Sequence, residues 1–80
     1  MILTDEQKHF SQEGKKFRSF DKFGNHWDIV VKKLRYHPEG YLWVEHWSMK
    51  NDSGEWIEDD GSSLEGLILE VQNGNTIEID

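Results

Sequence analysis

The chain has 80 residues with nine Lys and Arg against sixteen Asp and Glu, a net charge of −7, no cysteine, four Trp and four Phe. This is enough for one small domain that buries only about 60% of its unfolded surface, so the core must draw on large aromatic side chains. Cysteine-free composition excludes a disulfide framework and a thiolate metal site, and no apolar run is long enough for a membrane span. With no signal-peptide pattern at the N-terminus, the expected compartment is cytoplasmic.

Thr4 followed by Gln7 reads as a capping box that opens a short helix, Asp5 to Glu13, ended by Gly14. Its apolar face is thin, with Phe10 almost alone after Ile2 and Leu3.

One turn grammar then appears three times, in Asp21-Lys22-Phe23-Gly24-Asn25, His37-Pro38-Glu39-Gly40-Tyr41 and Asn51-Asp52-Ser53-Gly54-Glu55. A turn former near the start and glycine fourth is the pattern of a type I turn followed by a left-handed bulge residue. Three hairpins in a row predict a four-stranded antiparallel meander over Lys16 to Asp21, His26 to His37, Tyr41 to Lys50 and Glu55 to Glu58.

The turn type also fixes register. It predicts the pairs Phe17 with Ile29, Arg18 with Asp28, Val31 with Trp47, Lys33 with Glu45, Arg35 with Trp43 and Met49 with Ile57, combining apolar, oppositely charged and cation–aromatic partners. In that register the odd residues Phe17, Trp27, Ile29, Val31, Trp43, Trp47, Met49 and Ile57 form the core face. The even face carries Leu34, Tyr36, Leu42 and Val44 as an apolar patch near Pro38, to be covered by the N-terminal helix, a partner or a second copy of the chain.

After Asp59-Asp60-Gly61 the apolar period lengthens, with Leu64, Leu67, Ile68 and Val71 at helical spacing. Ser62 and Glu65 read as a second capping box, and Gly74 as the C-terminal stop of a helix from Ser63 to about Asn73 laid across the tryptophans. Thr76 to Ile79 is expected as a short edge strand. The fold class is therefore α+β in a single domain, residues 1 to 80.

No catalytic, metal or nucleotide motif stands out. His26 and His46 share the even face without converging, which argues against a zinc site. Glu58-Asp59-Asp60 lacks the spacing of a calcium loop and any accompanying base or nucleophile. Neither a cofactor nor enzymatic activity is expected.

Charge is more informative. Residues 51 to 80 hold nine acids and no Lys or Arg. That asymmetry points to a non-enzymatic interaction module, monomer or homodimer, meeting a partner protein's basic surface through Glu55, Glu58, Asp59, Asp60, Glu65 and Glu70. In its sharpest form the module inhibits a nucleic-acid-handling protein by imitating a phosphate array. The alternative is a sheet that stacks single-stranded nucleic acid on the even face, through Tyr36 and Trp56 with Arg18, Lys32 and Lys50.

Overall fold

A computed structural model describes residues 2–79. The order of elements is α1 (Asp5–Phe10), β1 (Lys16–Phe20), β2 (His26–Tyr36), β3 (Leu42–Lys50), β4 (Ile57–Ser63), α2 (Leu64–Gln72) and β5 (Thr76–Ile79). All five strands form one antiparallel sheet in the order β4-β3-β2-β1-β5. The α+β meander with two helices and a fifth edge strand is thus as the sequence predicts.

Local chemistry explains the element ends. The Thr4 hydroxyl accepts the Gln7 N–H while the Gln7 side chain accepts the Thr4 N–H, closing the capping box. Helix α1 is shorter than expected because its C-terminus is capped at Ser11, ahead of Gly14. The first two hairpins close with backbone bonds between Asp21 and Asn25 and between His37 and Tyr41, with Gly24 and Gly40 at positive φ. Helix α2 is capped by Ser63 rather than Ser62, its hydroxyl accepting the Gly66 N–H.

The register holds where it was counted from the first two turns. Phe17 faces Ile29, Arg18 faces Asp28, Lys33 faces Glu45 and Arg35 faces Trp43. It slips by one beyond Lys32, where a bulge makes Val31 face His46 and Val30 face Trp47. The third turn also differs: Asn51 and Asp52 both take positive φ, so the chain reverses one step earlier and Ser48, not Met49, faces Ile57. A second irregularity in β4 places Asp60 and Gly61 opposite Glu45.

These slips correct the expected core. Because side chains alternate across a strand, a one-residue shift exchanges faces. The buried cluster is Phe17, Ile29, Val31, Val44, Leu64, Leu67 and Ile68, with Phe10, Leu34, Leu42 and Val71 packed against it. Odd residues of β1 and the first half of β2 therefore join even residues of β3 beneath the two helices. Alternation sends Trp43, Trp47 and Met49 to the opposite, helix-free face, and Ile57 is exposed. Helix α2 covers aliphatic side chains, not the tryptophan row.

Candidate functional sites

Three surfaces carry the chemistry-bearing residues. The first is the helix side. A groove of about 390 Å³ between α1 and α2 is lined by Thr4, Glu6, Gln7, Glu65, Ile68, Leu69 and Gln72. A larger hollow of about 680 Å³ continues toward the β2–β3 hairpin, bounded by Ile2, Gln7, Tyr36, Leu42, Leu64 and Glu65 among others. Gln7 and Glu65 line both, so the two join. Leu69 is 53% exposed at this groove, an unusual outlay of apolar surface for a helix of nine residues.

The second is a cleft of about 300 Å³ at the centre of the helix side, where Ser19, His46, Asp59, Ser62, Glu70 and Thr76 meet Ile29, Gly61 and Leu67. The His46 ring is buried, and its Nδ1 has no hydrogen-bond partner, with Asp59 Oδ2 3.9 Å away. Burial holds the imidazole pKa below its ordinary value, and the nearby Asp59 carboxylate only partly opposes this. Asp59 is steered by the Gly61 N–H, which donates to its Oδ1 at 3.0 Å. Ser19 and Thr76 hydroxyls bond each other at 2.8 Å. The set therefore lacks a hydroxyl bonded to the imidazole Nδ1, the contact by which a base would activate a nucleophile there.

The third is the helix-free sheet face. The Arg18 guanidinium donates to both oxygens of the buried Asp28 carboxylate, at 2.6 and 3.0 Å. That pairing draws the Asp28 pKa below the ordinary carboxylate range despite burial. Asp52 sits beside it, 3.6 Å from Arg18 and 3.2 Å from the His26 ring. His26, Asp28 and Asp52 are, among the described residues, the one trio of possible metal-ligating side chains within reach of one another. Arg18 already supplies the positive charge there, so the trio reads as an ion-pair cluster. The i, i+2 spacing of His26 and Asp28 could have signalled it, but Asp52 reaches it only through the third turn.

Along the same face Lys32 bonds Glu58 at 2.8 Å and lies 4.8 Å over the Trp47 ring. His37, Tyr41 and Trp43 cluster at the hairpin end, with His37 stacked on Tyr41 at 4.3 Å. The Trp43 indole N–H donates to the Asp60 carbonyl at 2.7 Å.

The six acids expected to act together are dispersed. Glu58 is on the sheet face and paired with Lys32, whereas Asp59 turns into the His46 cleft and Glu70 lines its rim. Glu65 guards the helix groove, and Glu55 and Asp60 are exposed between these regions. Of the apolar patch, Val44 is wholly buried and Leu34 and Leu42 pack on the core, which removes them as a surface for a second copy. Tyr36 alone remains exposed. Trp56 is 38% exposed in the loop before β4.

No protein-family model, curated protein or solved structure matches the chain. No described helix is long and apolar enough to cross a membrane.

Proposed function

We propose that the chain is a small non-enzymatic interaction module that docks a basic partner through the groove between α1 and α2. The observation that carries this reading is Glu65: it lines both hollows of the groove, stands next to exposed Leu69, and has no ion-pair partner among the described residues. Glu6 shares the groove wall and is likewise unpaired. A carboxylate-rimmed apolar trough suits a segment that inserts a leucine-sized side chain between Lys or Arg residues, apolar contact giving affinity and the charges giving register and rate. If those Lys and Arg residues are the partner's phosphate-binding groups, docking here inhibits nucleic-acid binding.

The test is a titration of isotope-labelled protein with a soluble peptide of alternating Arg and Leu, followed by amide chemical shifts. The reading expects perturbations at Glu6, Glu65 and Leu69, weakened by salt and by Glu6→Gln with Glu65→Gln, while Glu58→Gln on the opposite side leaves binding intact. Perturbations spread evenly over every acidic loop would remove the groove as the site.

A further inference from the structure

The helix-free sheet face is a second surface, on the opposite side of the sheet from the groove. The bulge at Lys32 turns Trp43, Trp47 and Met49 onto the same side as Lys16, Arg18, Lys33 and Arg35. Five cations, counting Lys32, stand there against four carboxylates, Asp28, Glu45, Asp52 and Glu58, giving +1 on a face of a chain whose remaining residues sum to −8. Each carboxylate is met by a cation: Asp28 and Asp52 share Arg18, Glu45 meets Arg35 at 3.5 Å and Glu58 meets Lys32. Lys16 and Lys33 have no ion-pair partner among the described residues.

We infer that this face binds single-stranded nucleic acid, with bases stacked on Trp43 and Trp47 and phosphates met by Lys16, Lys33 and Lys32. Trp43 and Trp47 are four residues apart on one strand, so their rings stand roughly 13 Å apart, about the span of two extended nucleotide steps. Tyr41, 6.1 Å from Trp43, continues the row. Indole and phenol faces accept any base, whereas the duplex hides base faces, so this chemistry selects single strands without a sequence preference. Lys32 now covers Trp47; recruited by a phosphate, it would uncover the ring for a base.

The experiment is fluorescence anisotropy of a labelled oligothymidylate of about a dozen nucleotides at low salt, with a duplex of equal length alongside. Expected are preferential single-strand binding and a log–log salt slope of roughly −2, as for about three displaced counterions. Lys16→Glu with Lys33→Glu, both outside the core, should weaken binding at least tenfold while circular dichroism stays unchanged. Trp47→Ala should cost about tenfold and Trp47→Phe much less, since a phenyl ring still stacks. Absence of binding at low salt, equal affinity for duplex, or indifference to the lysine reversals would each overturn the inference. Glu6→Gln with Glu65→Gln should not reduce oligonucleotide binding; if it abolishes binding, the sheet face is not the site.

Discussion

Arg18 and Asp28 face each other across β1 and β2, and the guanidinium reaches the carboxylate with two nitrogens although Asp28 is only 5% exposed. A buried charge held by one partner depends on that partner entirely. Arg18→Ala should therefore lower the thermal midpoint more than Lys33→Ala on the same face. Asp28→Asn should cost about 1–2 kcal/mol, as a charge-assisted bond becomes a neutral one. In the double variant the losses should not add, which a double-mutant cycle by urea unfolding would read.

The same pair sets an acid limit. Because the folded Asp28 pKa lies below its unfolded value, the pair's contribution is complete above about pH 4 and disappears as pH falls through the folded value. Stability measured between pH 5 and 2 should decline less steeply in Asp28→Asn.

His46 acts in a different window with the same sign. Its folded pKa is below the unfolded value of about 6.5, so below that pH the unfolded chain binds a proton that the folded chain refuses. Stability should fall as pH drops from about 7 toward 5, and His46→Gln should flatten that slope. An unchanged slope would mean that the buried ring is not the group responsible.

Gly61 has a φ of 99°, and a Cβ built there would overlap the Val44 carbonyl and press on Trp43 Nε1. Gly61→Ala should cost roughly 3 kcal/mol, combining a left-handed backbone with a clash. Gly24→Ala, with the same sign of φ but open space around it, should cost about 1 kcal/mol by chemical denaturation.

The cap of α2 gives a sharp comparison between neighbours. Ser63→Ala should cost about 1 kcal/mol and Ser62→Ala far less, because only the Ser63 hydroxyl accepts the Gly66 N–H. Equal losses in thermal unfolding would reassign the cap.

The parts of the fold legible in the sequence are those set within a few residues. Gly24 and Gly40 mark loops whose geometry is local, and the pairs counted outward from them are right until Lys32. Asn51 and Asp52 mislead because both tolerate positive φ, so two conformations of the third turn compete and Gly54 does not decide between them. The bulges did leave a trace: Ile29-Val30-Val31 and Lys32-Lys33 break strict alternation, and Gly61 interrupts a strand. Reading them as bulges would have moved Trp43 and Trp47 to the open face at once. The Glu65 groove was only half legible, since its second wall is α1, and no local pattern says which helices meet.

The two irregular points sit side by side. Lys32 is the extra residue of β2 just where Glu45 of β3 begins its regular pairing, and Asp60 with Gly61 is the extra residue of β4 opposite that same Glu45. Bulged strands bend and twist more sharply, so β3 runs between two neighbours creased at one level. A single deletion at Lys32 would remove that extra residue and leave Val31, Lys33 and Leu34 in strict alternation opposite His46, Glu45 and Val44, whereas a deletion at Leu34 would bring Arg35 against the core. The crease is thus a level at which the sheet can lose a residue and keep its faces, whereas a deletion in the regular part of a strand turns the side chains beyond it over.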